Sequence, residues 1–463
     1  MKRISLYGMI AGLVLGLCAC AKTDDQDADA RVEKESFGNS GYTAILETEN
    51  GYYYNLGYSD SSDELWAKKY NMMLRYYDKN TRTNVMLCNK PECDHTDPET
   101  CVAIYKNLIV LNTQLYDGAL YIYGVEHDGV IVRFALYKAA LDGSSIDRVG
   151  VVFEAENTIR EGEEILPENF QLGEKFDDYM CCVIYKGEAY LPYRLQIGQA
   201  SRGFQGGGVV RMNLKDGSTE QIFSTENKQG EIPYYLRVCG DYLYFKTDSY
   251  ISGGRVYRYS VSQHAMAPIP VNYTEEEREV MKKWGIDPDA PRYLPYDLVT
   301  QDKAYRILQS RDKETRTLTV SLSVTSAEDM TELEQIDLPI APEGAMYLAY
   351  QTLMYEDLIL IRTQTGMLYI ISVAEDETHG KLLAVIEPPT DPYGEHYSDR
   401  LINCTYKVKD NVLYFSARVP NDEVSQGKNG GFYLPYTIYT CPLDKAINGE
   451  TVWEEVFTFE ECR

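Results

Sequence analysis

Apolar and polar residues alternate with a period of two over short stretches along most of this chain. The stretches recur behind the same kind of turn. A Gly, Asp or Asn turn and an aromatic-rich strand appear as NGYYYNL from Asn50, DGALYIY from Asp117, KGEAYLPY from Lys186 and GDYLYF from Gly240. Weaker copies are DKAYRIL from Asp302, EDLILI from Glu356 and KDNVLYF from Lys409. Period-two alternation predicts β-strands with two distinct faces. A spacing of roughly 50 to 70 residues predicts a repeat architecture.

Each copy continues alike. A further strand follows, such as LRYYDK from Leu74, ALYKAALDG from Ala135, VVRMNLKDG from Val209 or RVYRYS from Arg255. Turns such as Asp142-Gly143 and Asp216-Gly217 lead to a last strand, for example TEQIFS from Thr219. A strand also precedes each turn, as in YLRVC before Gly240. Four strands in each of seven units predict an all-β chain folded as a single β-propeller. The weak fifth copy leaves six or eight blades open. TAILET from Thr43 supplies the first strand of blade 1 and TVWEEVFTF from Thr451 the last strand of blade 7, so no strand exchange is needed at closure.

Within a blade, the first and third turns share one end and the middle turn shares the other end with the crossing to the next blade. The longer segments fall in the second class: 58–71, 154–178, 196–208, 272–295 and 420–432. They predict one elaborated face, where binding sites usually sit. One insertion predicts a short helix near 274–285. Thr274 and Glu277 form a capping box, Val280, Met281 and Trp284 share a face to pack down, and Gly285 ends it.

The N-terminus departs from this pattern. Lys2 and Arg3 precede an uncharged apolar run from Ile4 to Ala19, a signal-peptide pattern too short for a comfortable membrane span. Leu17-Cys18-Ala19-Cys20 resembles the bacterial lipobox, which implies lipidation of Cys20 and anchoring on the outer face of the cell membrane. The expected division is therefore a signal peptide over 1–19, a lipidated cysteine with a flexible acidic tether over 20–41, and a propeller over 42–463. Asp25, Asp27 and Asp29 alternate in the tether, but the glycine and distal glutamate of a calcium loop are missing.

Composition sharpens this. The formal net charge is −26, and no basic stretch stands out. Nucleic acid is disfavoured as a partner, since phosphate neutralisation needs clustered Lys and Arg. Forty tyrosines suit half-buried pleated surfaces. Eleven cysteines, less Cys18 and Cys20, leave an odd nine that cannot all pair within the chain.

Four of the chemistry-bearing residues cluster: Cys88, Cys93, His95 and Cys101, in LCNKPECDHTDPETC. The segment is expected in the crossing from blade 1 to blade 2. Three thiols and an imidazole suit tetrahedral zinc, or iron, but the spacing matches no standard finger. A disulfide and unligated thiols are the alternatives. One residue between Cys93 and His95 demands a turn, for which Lys90-Pro91 and Asp97-Pro98 are apt. This Lys-Pro-x-Cys-x-His…Cys segment resembles a signature of uncharacterised, TolB-like propeller lipoproteins of anaerobic Gram-positive bacteria. The resemblance covers most of the chain and implies surface location and a propeller fold; it points to no particular activity.

Other features are less pointed. Cys181, Cys182, Cys239, Cys404 and Cys441 fall in predicted strands, as buried small apolar residues do. Tyr-Leu-Pro-Tyr occurs at 190–193, 293–296 and 433–436. Tyr293, Tyr296, Tyr433 and Tyr436 are candidate aromatic platforms for a sugar or peptide, against packing of the rings on the blade. Gly203 and Gly206 to Gly208 lack the lysine and strand-to-helix context of a phosphate loop and read as a flexible loop. No G-x-S-x-G, H-E-x-x-H or Walker motif occurs. The leading expectation is a non-enzymatic binding or sensing lipoprotein with an unknown extracellular ligand, glycan or protein. An extracellular hydrolase or lyase of glycan or peptide, using carboxylates, comes second, and an envelope scaffold third.

Overall fold

The computed structural model describes residues 45–59, 70–95, 99–105, 108–127, 131–156, 182–197, 204–225, 232–248, 255–267, 275–283, 298–299, 303–311, 318–327, 331–340, 348–363, 366–373, 380–389, 404–418 and 436–458. They form seven successive antiparallel sheets, each a meander of four consecutive strand positions. This is the blade architecture of a seven-bladed β-propeller, at the expected count. Among the described residues every sheet takes its strands from one continuous stretch of chain.

Blade 1 holds β1 (Ile45–Glu47), β2 (Gly51–Ser59), β3 (Tyr70–Asp78) and an outer strand in two pieces, β4 (Thr83–Met86) and β5 (Ile104–Tyr105). Blade 2 holds β6 (Leu108–Tyr116), β7 (Ala119–His127), β8 (Ile131–Ala140) and β9 (Ile146–Glu156). Blade 3 holds β10 (Val183–Tyr185), β11 (Glu188–Ile197), β12 (Phe204–Asn213) and β13 (Thr219–Ser224). These three blades belong to one compact unit, and the chain from Thr225 onward to a second.

In the second unit, blade 4 comprises β14 (Ile232–Cys239), β15 (Tyr242–Asp248), β16 (Arg255–Ser260) and β17 (Ala265–Met266). Helix α1 (Glu275–Lys283) follows. Blade 5 comprises β18 (Leu298–Val299), β19 (Lys303–Arg311), β20 (Leu318–Ser326) and β21 (Glu332–Leu338). Blade 6 comprises β22 (Leu348–Tyr355), β23 (Leu358–Thr363), β24 (Leu368–Ser372) and β25 (Lys381–Ile386). Blade 7 comprises β26 (Cys404–Lys409), β27 (Val412–Arg418), β28 (Tyr436–Pro442), a short helix α2 (Leu443–Ile447) and β29 (Glu454–Thr458).

The alternation decides the packing. Along β7, Leu120 and Ile122 join the core with blade 1, while Tyr121, Tyr123 and Val125 join the core with blade 3. Along β23, Leu358 and Leu360 face the core shared with blade 7, and Ile359 and Ile361 the core shared with blade 5. Inner strands are thus apolar on both faces. Each fully buried side chain of this size contributes about 1.5–3 kcal/mol.

Tyrosine adds directional contacts between neighbouring blades. Tyr116 ends β6, and its hydroxyl accepts the Gly187 N–H from the first hairpin of blade 3 at 2.8 Å. Tyr355 ends β22 and accepts the Asn411 N–H of blade 7 in the same way, at 3.1 Å. Tyr123 and Tyr406 donate to the carbonyls of Pro192 and Gly366, at 2.5 and 2.7 Å. The turns that begin the repeats are two-residue hairpins in blades 2, 3, 4, 6 and 7. Both residues have positive φ at Asp117-Gly118, Lys186-Gly187 and Asp410-Asn411, the geometry that matches strand twist.

Several expectations need correction. The segments 58–71 and 196–208 are partly strand: β2 runs to Ser59 and β3 starts at Tyr70, while β11 reaches Ile197 and pairs with β12 from Phe204. Gly206 to Gly208 are therefore ladder residues. A Cβ on Gly208 would stand 2.6 Å from the Tyr193 hydroxyl, so the glycine makes room for a ring. Helix α1 forms where expected, but Val280 is 54% exposed rather than packed down. Its neighbours Thr274, Trp284 and Gly285 lie outside the described residues. Helix α2 was not signalled by the sequence.

Candidate metal centre

The Cys/His segment is not a crossing between blades. It interrupts the outer strand of blade 1, because β4 and β5 both pair with β3. Leu74 holds the two limbs together. Its N–H donates to the Ala103 carbonyl at 2.8 Å, and its carbonyl accepts the Leu87 N–H at 3.0 Å. In blades 2, 3 and 7 the ladder to the outer strand slips at Leu136, Val209 and Ile438, each four residues before its strand ends. Leu74 occupies the same position in β3. Where those blades carry a bulge, blade 1 carries the excursion. A bulge already leaves a residue unpaired, so an insertion there costs the sheet little.

The excursion folds tightly. The Cys93 N–H donates to the Lys90 carbonyl at 3.1 Å, closing a turn after Pro91. His95 has φ +58, in the left-handed region that residues with a β-carbon seldom enter. This answers the difficulty of a one-residue spacing. The reversed backbone lets Cys93 and His95 converge although extended neighbours two apart would run on. His95 Nδ1 lies 3.4 Å from Cys101 Sγ. One ligand atom from each of Cys88, Cys93, His95 and Cys101 lies within 4.8 Å of the others. In a tetrahedron with Zn–S of about 2.3 Å and Zn–N of about 2.0 Å, neighbouring ligand atoms are about 3.5–3.8 Å apart. The set is close to that scale.

Cys101 is buried, while Cys88, Cys93 and His95 are half-buried. Burial pushes the Cys101 thiol up to about 12, and Cys88 and Cys93 add to the rise. Burial opposes ionisation of Cys88 too, but hydrogen bonds from the Lys90 and Val102 backbone and from the Cys93 and Cys101 thiols outweigh it. Its pKa is held below the ordinary thiol value. Behind the cluster, Tyr105 is buried, and its hydroxyl has no hydrogen-bond partner among the described residues. Burial and the charge of Cys101 both oppose its ionisation. No signal in the sequence singled out Tyr105 or Leu74. Among the described residues Cys88, Cys93 and Cys101 form no disulfide.

The excursion touches blade 2 at Gly143, in the turn before β9. A Cβ there would lie 2.5 Å from the Leu87 carbonyl oxygen and 2.8 Å from the Cys88 nitrogen. The Asn89 N–H donates to the Gly143 carbonyl at 3.3 Å. Other blades repeat the device. Gly217 sits on Val149 of the preceding blade, and the Gly380 N–H donates to the Asp337 carbonyl at 2.9 Å.

Cys20, Tyr293, Tyr296 and Tyr433 lie outside the described residues. Tyr436 starts β28 opposite Arg418. In the Tyr-Leu-Pro-Tyr copy at 190–193 both rings are buried, and Tyr193 stacks on Phe153 with centroids 4.6 Å apart. That copy is core. Cys182 and Cys441 are buried, and the Cys182 thiol donates to Asn112 Oδ1 at 3.0 Å. Described carboxylates form cross-strand ion pairs, Glu126 and Glu154 with Arg133, Glu188 and Glu220 with Arg211. Among the described residues no helix is long and apolar enough to cross a membrane.

No sequence family matches the chain, and no curated protein matches it in sequence. Solved structures resemble it. A prolyl endopeptidase is 10% identical with a TM-score of 0.43; the match covers 98% of this chain and 54% of the other, so this chain spans about half the length of that enzyme. The polysaccharide lyase Uly1 is 10% identical with a TM-score of 0.42, over 87% of this chain and 90% of its own. BamB from Moraxella catarrhalis is 8% identical with a TM-score of 0.39, over 88% and 96%. Likenesses this distant carry no argument about activity, and the blade assignment rests on strand pairing itself.

Proposed function

We propose that this protein is a cell-surface lipoprotein, anchored through Cys20, that binds an extracellular glycan or protein through its long loops without turning it over. The observation that carries the binding reading is the contrast between the two ends of the sheets. First hairpins have two-residue turns in blades 2, 3, 4, 6 and 7, while β27 and β28 are separated by 419–435 and β9 and β10 by 157–182. Rigid sheets with long connections at one end are a common frame for recognition. The basic start, apolar run and lipobox-like Leu17-Cys18-Ala19-Cys20 support the anchor.

Two measurements test this. Cys20→Ala should move the protein from the membrane fraction to the medium; an unchanged distribution would overturn the anchor. The full chain should retain immobilised cell-wall glycans or surface peptides that are recovered intact by mass spectrometry, and Tyr433→Ala with Tyr436→Ala should weaken that retention. Release of shortened glycan or peptide would replace binding by the hydrolase or lyase reading.

A further inference from the structure

We propose that Cys88, Cys93, His95 and Cys101 form a closed, four-coordinate site for a thiophilic divalent cation of the zinc class, which holds the excursion of blade 1 in place of an apolar core. The donor set is soft, three sulfurs and an imidazole with no carboxylate, and this selects zinc or iron over calcium or magnesium. Four protein donors fill a tetrahedron and leave no position for water or substrate, so the site is structural rather than catalytic.

Three observations converge. First, the ligand atoms lie within 4.8 Å of one another although their residues span fourteen positions. Second, the excursion has little apolar core to hold it. Of its described side chains between Leu87 and Ala103 only Cys101 is buried, while Lys90, Pro91, Glu92, Asp94, Glu99 and Thr100 are exposed. Hydrophobic burial cannot order such a segment against its conformational entropy. Third, the strained φ of His95 serves to turn its ring nitrogen toward Cys101. An ion bonded to all four groups supplies the missing cross-link, as metals do in small domains with too little core. The limbs are already drawn together by Leu74, so the loop to be closed is short.

A consequence reaches beyond blade 1. The Gly143 turn rests on the Leu87 carbonyl and Cys88 nitrogen, and Asn89 is bonded to Gly143. Cys88 is thus at once a ligand and part of the seam with blade 2, so an ion here stiffens that seam as well. The inference does not depend on what the long loops bind.

The test uses the full chain, purified in detergent under anaerobic, reducing conditions. Elemental analysis should give about one zinc or iron per chain. Replacement by Co(II) should give thiolate-to-cobalt charge-transfer absorption and the intense ligand-field bands of a tetrahedral site. Cys93→Ser and His95→Ala should each weaken Co(II) binding by at least about tenfold, and His95→Cys should retain the ion in a four-sulfur site. The folded state is checked by far-UV circular dichroism, and any variant that fails to fold is replaced by another of the three. A folded, fully reduced chain that takes up neither Zn(II) nor Co(II) would overturn the proposal. So would Co(II) binding unchanged in both Cys93→Ser and His95→Ala, or a disulfide joining two of Cys88, Cys93 and Cys101 in the native protein.

Discussion

His95 Nδ1 lies 3.4 Å from Cys101 Sγ, and His95 itself stands in the left-handed backbone region. A residue with a β-carbon pays about 1–2 kcal/mol there, so the contact needs a compensating bond. If the proposed site holds an ion, its removal should loosen the excursion while the sheets persist. A glutamyl endopeptidase should then cut at Glu92 or Glu99 at least about tenfold faster in the presence of a strong chelator. Ligating thiols and imidazole must be deprotonated, so the apparent affinity for zinc should also fall as pH is lowered.

Gly187 and Gly217 separate two costs at turns. Both have positive φ, 75° and 70°. A Cβ at Gly187 would meet nothing within 4 Å, while one at Gly217 would stand 2.2 Å from the Val149 carbonyl oxygen. Gly187→Ala should cost about 1 kcal/mol from backbone strain alone. Gly217→Ala should cost at least about 2 kcal/mol more, because the seam with blade 2 must shift. Equilibrium urea unfolding of the two variants compares them directly.

Leu360 and Ile361 are both fully buried but on opposite faces of β23. Truncating either to alanine should destabilise by about 2–5 kcal/mol. A polar residue should be tolerated at neither position. In an ordinary sheet with one wet face, only one of two adjacent residues would behave so.

Alkaline pH should weaken the fold. Burial raises the phenol pKa of Tyr53, Tyr76, Tyr105 and Tyr123 above their unfolded value of 10.0. A raised folded pKa means that the neutral phenol is favoured in the folded state. That stabilisation is complete below about pH 10 and is lost as pH climbs from there toward the higher folded values. The melting temperature should hold between pH 7 and about 9 and fall above 10. Absorbance titration near 295 nm should show a class of tyrosines that ionises only as the chain unfolds.

How much of this was legible beforehand can be judged residue by residue. Asp117-Gly118 and Lys186-Gly187 announced hairpins because few sequences accept two successive positive φ values, and the strands behind them announced sheets by their period of two. Seven copies pointed to seven blades, but the weak fifth copy left six or eight open until strand pairing gave seven sheets. Cys88, Cys93, His95 and Cys101 stood out by type. Their place did not, since strand pairing is a non-local choice: nothing in the chain near Ile104 says that it returns to β3 rather than starting blade 2. Gly206 to Gly208 misled for a related reason, because a glycine needed to admit the Tyr193 ring looks the same in sequence as a glycine in a loop.

The sequence by itself determined the repeating sheets, their turns and the chemistry of the donor set, since these depend on local backbone preference and residue type. Tertiary structure alone decided that Leu74 joins the two limbs of the excursion, that His95 turns back to Cys101, and that Gly143 of the next blade closes on Cys88. Those relationships are hydrogen bonds and contacts between strands, within the excursion and across the seam with blade 2, and their energies exist only once the chain has folded back on itself.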